Sequence, residues 1–177
     1  MKKTILLLAL FVLFGANSNA QTTKKADQTQ RKALNKLNGN DVSNLSKNQF
    51  SIDFGKTAKD PKWQRMTNFD EVTFTNNGKK ITAFYDEDSK LVGTTQEKNF
   101  TDIPAKAQTE ITKKYKDYQK GIVLLFDDNE DNDTDMVIYG QQFDDEDSYF
   151  VEIKNSSKKI VLQVSTSGEV SYFADLK

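Results

Sequence analysis

The sequence predicts an α+β fold in which two helix-plus-antiparallel-meander repeats pack together. The first sign is a strand pattern: Val72 and Phe74 alternate with polar residues, the Asn77-Gly78 dipeptide favours a tight hairpin, and alternation resumes at Ile81. The second is an internal repeat, and the third is a stretch of helical periodicity before each copy. Together they predict two copies of one unit, each a helix followed by three antiparallel strands.

The repeat appears when the sequence is shifted by 79 residues without a gap, so that 72–93 lies over 151–172. Apolar and turn positions coincide, and the same Lys-Lys-Ile tripeptide stands at 79–81 and at 158–160. A single meander with one helix buries too little apolar surface to be stable alone. The two units are therefore expected to share one hydrophobic interior.

The first predicted helix begins after a capping residue, Asp41 or Ser43, and ends near Gly55. It directs Leu45 and Phe50 toward the core. Pro61 and Trp63 then lead into the first strands.

The second predicted helix spans 101–121, with Pro104 in its first turn and Gly121 at its end. Its apolar positions recur at intervals of three and four residues: Ile103, Ala107, Ile111, Tyr115 and Tyr118. After it, the sequence predicts strands alone, over 122–126, 136–143, 149–154, 159–164 and 170–173.

The sequence divides into two N-terminal segments and one folded domain. Residues 1–20 have two lysines, an apolar run and small residues before Gln21, as a secretory signal peptide does. Residues 21–40 are polar and predict a flexible N-terminal tether. Residues 41–177 form a single α+β domain made of two repeats, about 41–100 and 101–177. We expect an exported protein, periplasmic or secreted, with no membrane anchor after cleavage.

Composition excludes several classes of chemistry. The chain has no His and no Cys, which removes the common catalytic triads, thiolate or imidazole zinc sites and disulfides. Without the signal peptide the chain carries 23 basic and 26 acidic residues, a net charge of −3. That balance predicts no general attraction to nucleic acid or anionic lipid.

The chain resembles a known family in the order of its motifs. A helix with spaced Phe residues and a Trp precede strands that end in "FYDEDSKLVGTT" (84–95), followed by "IPAKAQTEITKKYKDY" (103–118) and a second meander. This order resembles the PepSY-like proteins of the beta-lactamase-inhibitor-like group. The resemblance implies a small exported protein of the Bacteroidetes type, without established catalytic residues, that binds a protein through a concave sheet. The family's usual turn glycine is Ser89 in the first copy, whereas Gly168 keeps it in the second.

The most individual segment is "FDDNEDNDTD" (126–135), which contains six carboxylates. A calcium site there would use five oxygen-bearing side chains: Asp127, Asn129, Asp131, Asp133 and Asp135. An EF-hand is not expected, because its turn glycine is replaced by Asn132 and its bidentate Glu by Ile138. Two interpretations remain open, a weak calcium site and a solvated hairpin tip whose charges prevent edge-to-edge pairing.

Enzyme activity is not expected from the carboxylates. If 136–143 is one strand, Asp135 and Asp144 lie roughly 30 Å apart at ~3.3 Å per residue, whereas paired carboxylates in glycoside hydrolysis lie ~5–10 Å apart. A pair within one cluster would be on a wet turn, without the apolar surroundings that raise a catalytic pKa.

Exposed aromatic residues on the strands would suit a protein-binding surface, since such residues dominate interface energetics. The predicted surface consists of Tyr85, Tyr139, Tyr149 and Tyr172. The sequence therefore predicts a non-catalytic exported binding module, inhibitor-like or otherwise protein-binding, of the cell envelope. The alternative is a weak extracellular calcium-binding protein.

Overall fold

Two α-helices cover one face of a continuous antiparallel sheet in the computed structural model, which describes residues 41–144 and 146–176. The predicted signal peptide (1–20) and tether (21–40) lie outside these residues. The α+β fold class is confirmed. No helix within the described ranges is long and apolar enough to cross a bilayer.

The helices are α1 (Asn44–Asp53) and α2 (Ala105–Lys114). The eight strands of the main sheet are β1 (Ala58–Arg65), β2 (Asp70–Asn76), β3 (Lys79–Tyr85), β4 (Leu91–Lys98), β5 (Gln119–Asp128), β8 (Ser148–Lys154), β9 (Lys159–Ser165) and β10 (Val170–Leu176). They lie in the order β1-β2-β3-β4-β5-β8-β9-β10, each antiparallel to its neighbours. A separate two-stranded hairpin consists of β6 (Val137–Ile138) and β7 (Gln141–Gln142).

The two meanders, β2-β3-β4 and β8-β9-β10, are the structural form of the sequence repeat. Their strand boundaries agree within one residue after the 79-residue shift. The equivalent turn residues Ser89 and Gly168 both have left-handed backbones, with φ of 62° and 83°. Serine therefore adopts in the first copy a conformation that glycine reaches without steric cost in the second.

Beneath the helices the two copies do not share one interior as the sequence predicted, but on the other face of the sheet they do: Val92 of the first copy and Phe150 of the second lie in one apolar cluster. Strand β5 is ten residues long and pairs with β4 on one side and β8 on the other, so that it joins the meanders edge to edge. Backbone hydrogen bonds connect the halves, and each helix covers a core of its own. Phe50 of α1 packs on Val72, Phe74, Ala83 and Tyr85. Ala107 and Ile111 of α2 pack on a separate set from β5, β8 and β9.

In each copy the helix begins over the last turn of its own meander. In the first copy the contact is polar: the hydroxyl oxygens of Ser46 and Ser89 are hydrogen-bonded at 2.9 Å. In the second copy the turn packs closely on the helix start, since a Cβ at Gly168 would lie 3.0 Å from the Cβ of Pro104, and an exposed ion pair joins Lys106 to Glu169 at 2.7 Å. The same geometry is therefore held by different chemistry in the two repeats.

Helix α2 is shorter than the sequence predicted. It ends at Lys114 instead of extending to Gly121, and Gly121 lies inside β5, where a Cβ would meet the Cβ of Glu152 at 3.2 Å. At the other end, residues Phe100–Asp102 form a 3-10 turn in which Asn99 and Asp102 cap each other's backbone. The predicted helix thus merges three separate elements, because amphipathic spacing continues through the turns that join them.

Strand β1 at one edge of the sheet is irregular. Its register with β2 shifts between Lys59 and Lys62. Asp60 has a positive φ of 53° there, and Pro61 has no backbone N–H to donate. These features interrupt the hydrogen-bonding edge that β1 presents to solvent.

Candidate functional site

The segment between β5 and β8, residues 129–147, folds onto the face of the sheet opposite the helices. We call this segment the insert and that face the open face. The sequence predicted one strand over 136–143, whereas the structure has the hairpin β6-β7 with Tyr139 and Gly140 in its turn. Both turn residues have positive φ, 52° and 75°, the conformation that a two-residue hairpin turn requires.

This hairpin overturns the separation predicted for the two acidic clusters. Because the chain reverses at Tyr139, the backbone N–H of Phe143 donates to the carbonyl of Met136 at 3.3 Å. The backbone N–H of Asp128 donates to the Asp147 carboxylate at 2.8 Å. The clusters 127–135 and 144–147 therefore meet at the same end of the sheet.

Aromatic and aliphatic side chains bind the insert to the open face. The Phe143 ring lies at the centre, in edge contact with Phe126, Phe150 and Phe173 at centroid distances of 5.2, 5.0 and 6.0 Å. Met136 is 1 % exposed and joins the same cluster. Without the insert, this part of the open face would expose its apolar residues to solvent.

A polar anchor fixes the acidic part of the insert. Asn132 is buried, and its amide donates to the Asp86 carboxylate and to the Leu91 carbonyl, both at 3.0 Å. The backbone N–H groups of Asp88 and Lys90 donate to the other Asp86 oxygen at 2.8 and 2.9 Å. The residue that occupies the glycine position of an EF-hand is therefore a structural tether to the β3–β4 turn.

Replacing Asn132 by aspartate should detach this part of the insert. The change sets a carboxylate against Asp86 and removes both amide donors, a loss of about 2 kcal/mol from the stability of the segment. Hydrogen exchange should then show faster exchange in the insert, with little change in the α2 half of the protein. Asn155→Asp, at an exposed turn, is the matched control; equal exchange in both variants would contradict the anchor.

The five residues predicted to bind calcium have different environments. Asn129 donates through its amide to the Leu91 carbonyl at 2.7 Å, and Asp135 accepts from Gln142. Burial, and then the nearby Asp147 carboxylate, raise the pKa of Asp127. Within the described ranges, no three or more acidic side chains are arranged to hold a metal ion. Calcium binding through Asp127, Asn129, Asp131, Asp133 and Asp135 stays a prediction of the sequence.

The four tyrosines predicted to form a partner-binding surface do not lie together. Tyr85 is 0 % exposed beneath α1, and its hydroxyl donates to Asp53 at 2.9 Å. Tyr149 packs half-buried in the α2 core, whereas Tyr139 lies in the insert on the open face. Tyr172, on the edge strand β10, is 57 % exposed. Alternation along the strands assigns these side chains to different faces, so they form no common surface.

Tyr139 connects the insert to β8 through a buried charge. Its hydroxyl donates to the Glu152 carboxylate at 3.1 Å, and the ammonium of Lys159 lies 2.8 Å from the other Glu152 oxygen. Burial and the adjacent carboxylate raise the pKa of Tyr139, so the residue is neutral and donates at physiological pH. The interaction compensates the burial of Glu152 and locates the tip of the hairpin.

An apolar cleft of about 470 Å³ remains between the insert and the sheet. Its floor consists of Phe84 and Leu124 of the open face, and one wall is the β6 segment from Met136 to Gly140. The opposite wall is the β1–β2 turn, where Met66 is 42 % exposed. The sequence did not reveal this cleft, because it is formed by a turn, four strands and a hairpin that are distant along the chain.

One carboxylate lies in the cleft. Glu71 is half-buried on β2, and burial raises its pKa above the ordinary value. The other ionisable residue among those lining the cleft is Tyr139, whose hydroxyl is bonded to Glu152. The described lining thus holds no pair of carboxylates for acid–base catalysis.

The fold of this chain is similar to that of several solved structures. A BLIP-like protein from Bacteroides fragilis matches with a TM-score of 0.58 and 16 % identity, over 76 % of this chain and 86 % of that one. A DUF2874 family protein from Bacteroides uniformis gives 0.59 and 11 %, over 73 % and 86 %. A provisionally assigned periplasmic protein from Bacteroides eggerthii gives 0.60 and 12 %, over 75 % and 88 %.

No protein-family model and no curated protein matches the sequence. At these identities the similarity concerns the fold. The beta-lactamase-inhibitor-like resemblance expected from the motifs is confirmed at that level: the chain has a BLIP-like fold also seen in Bacteroides proteins.

Proposed function

We propose that this protein is an exported, non-catalytic module that binds another protein of the envelope or extracellular space through the apolar cleft. The observation that carries the proposal is the cleft itself, with a floor of Phe84 and Leu124 and a partly exposed Met66 at its rim. An exposed apolar patch with a polar border is typical of an interaction site.

The surroundings of the cleft favour a protein over an enclosed small molecule. The open face continues from the cleft across β1, β2 and β3, where Lys62, Thr73 and Lys80 form a polar surface. An apolar centre beside such a surface has the anatomy of a protein–protein interface. Fold similarity to a BLIP-like protein and to a provisionally assigned periplasmic protein supports both binding and export.

The non-catalytic part of the proposal is supported by the available side chains. The chain has neither His nor Cys. Glu71 is the one carboxylate in the described lining, and general acid–base hydrolysis of a glycosidic bond needs two.

Met66→Lys should weaken partner binding at least about tenfold, which corresponds to 1.4 kcal/mol. The reason is that a cation would have to be desolvated in an apolar contact. Purified protein is immobilised to capture and identify a partner from envelope extract. The affinity of the purified partner is then measured by calorimetry for wild type, Met66→Lys and Leu124→Lys.

Ile52→Lys is the matched control, because Ile52 is 75 % exposed on α1, on the opposite side of the sheet. We expect its affinity to stay within about twofold of wild type, since isolated surface changes contribute little. Wild-type affinity in both cleft variants would refute the cleft as the binding site.

A further inference from the structure

The antiparallel topology separates charges that are mixed along the sequence. At one end of the sheet, the acidic end, lie the carboxylate-rich stretches 86–88, 127–135 and 144–147, of which Asp145 is outside the described residues. At the other, the basic end, lie the β2–β3 turn, the β8–β9 turn and the strand ends between them. Although its composition is nearly neutral, the molecule therefore has an excess of carboxylates at one end and of lysines at the other.

Lysines extend across the basic end from strand to strand. Lys79 and Lys80 lie at the β2–β3 turn, Lys98 ends β4, Lys120 lies in the start of β5, and Lys154 and Lys158 flank the β8–β9 turn. All except the half-exposed Lys98 are exposed. Carboxylates are outnumbered here: Asp53, Asp60, Glu97, Asp102, Asp117 and Asp175 are exposed at or near this end, and Glu152 is paired with Lys159. Among the described residues they face ten lysines once Lys56, Lys59, Lys116 and Lys159 are added to the six named above.

The distance between the two ends decides whether they cancel. Strand β5 alone, with ten residues, extends about 30 Å at ~3.3 Å per residue. The Debye length at 0.1 M salt is about 10 Å. A surface in contact with the basic end is therefore screened from the acidic end. An anionic surface would therefore interact with the charge of the basic end, and the net charge of the whole chain does not predict whether it binds.

We propose that the basic end docks on an anionic lipid surface. The lysines span five neighbouring strands, β3, β4, β5, β8 and β9, a row about 19 Å wide at ~4.8 Å per strand. A flat array of headgroups contacts such a row along its whole width, whereas a small anion would meet one or two lysines. Long lysine stems let the ammonium groups reach headgroups at different heights.

Exposed apolar side chains lie among these charges. Ile122 follows Lys120 on β5 and is 47 % exposed, and Ile52 is in the last turn of α1, which leads to the same end. Lysine with exposed aliphatic residues is the composition of surfaces that rest in a headgroup layer. The acidic end, repelled by the same lipid, would point away, together with the β1–β2 turn and the cleft beside it.

The test is co-sedimentation of the exported chain, from Gln21, with vesicles of phosphatidylcholine alone or mixed with phosphatidylglycerol. The test variant replaces Lys79, Lys80, Lys154 and Lys158 by serine. The matched control makes the same change at four exposed lysines away from the basic end, so that both variants lose the same net charge: Lys47 on α1, Lys62 in β1, Lys90 at the β3–β4 turn and Lys106 at the start of α2. Both keep the basic residues of the N-terminal segment, and unchanged thermal melting verifies that each folds.

We expect wild type to bind the mixed vesicles at low salt and to be released at 1 M salt, where the Debye length is ~3 Å. The test variant should bind the mixed vesicles at least about tenfold more weakly than wild type. The control should bind them within about twofold of wild type. Equal binding to phosphatidylcholine alone, equal weakening in both variants, or no binding by wild type would overturn the proposal. Retention on a soluble polyanion without vesicle binding would overturn it as well. None of these outcomes bears on the cleft, whose variants leave the basic end intact.

Discussion

Replacing Gly93 by alanine is expected to lower the free energy of unfolding by about 3 kcal/mol. A Cβ at this position would lie 2.6 and 2.7 Å from two ring carbons of Phe126 and 2.8 Å from the carbonyl oxygen of Asp127. The ring is fully buried between the insert and the sheet, and the carbonyl belongs to the adjacent strand, so neither can withdraw. Urea unfolding monitored by circular dichroism measures the change.

Two further variants isolate the cause. Gly93→Ala combined with Phe126→Leu removes the ring atoms but not the Asp127 carbonyl, so part of the loss should be recovered relative to the sum of the single changes. Gly55→Ala, where a Cβ meets nothing within 4 Å, should cost only the left-handed backbone penalty, about 1 kcal/mol. An unchanged midpoint in Gly93→Ala would show that β4 and β5 separate more easily than their register implies.

Asp70→Asn is expected to destabilise the protein by about 3 kcal/mol. Asp70 is 0 % exposed, and its carboxylate accepts from the Ser46 hydroxyl at 2.6 Å, the Ser43 backbone N–H at 3.2 Å and the Arg65 guanidinium at 2.7 Å. The substitution removes the negative charge and leaves the Arg65 cation, 9 % exposed, without its counter-ion. It also weakens the attachment of α1 to β2.

The measurement uses the single tryptophan, Trp63, whose ring packs against Phe50 of α1 at 5.4 Å. Its fluorescence in urea reports the detachment of α1 together with unfolding. Asp117→Asn makes the same chemical change at an exposed position and should stay within about 0.5 kcal/mol of wild type. Equal midpoints for both variants would mean that the buried pair contributes no net stability.

The sequence predicted those parts of the fold that depend on local periodicity. Period-2 alternation and the Asn77-Gly78 turn located β2 and β3, and the 79-residue repeat transferred that assignment to β8 and β9. What it did not predict was how the repeats join. A long β5 that pairs on both sides is decided by hydrogen bonds between distant segments, and no local pattern records them.

The candidate site was harder to predict, for an identifiable reason. Gly140, inside an otherwise continuous apolar run, was the available signal for the β6-β7 turn, since glycine within a strand pattern suggests a break. Without that turn the insert cannot cover the open face, and the cleft does not exist. The anchoring role of Asn132 could not be predicted from the sequence, because an asparagine among carboxylates is expected to be solvated. Its role becomes clear only from its hydrogen bond to Asp86, which is distant along the chain.

The irregular edge at β1 limits how copies of this protein can aggregate. Fibre growth by strand addition needs two edge strands in each molecule that can pair, so that every added molecule exposes an edge for the next one. The backbone kink at Asp60 and the missing N–H of Pro61 close one side, which leaves β10 as the other. Accidental pairing between crowded molecules would therefore stop at a pair, a safeguard for a protein that cannot rely on disulfides.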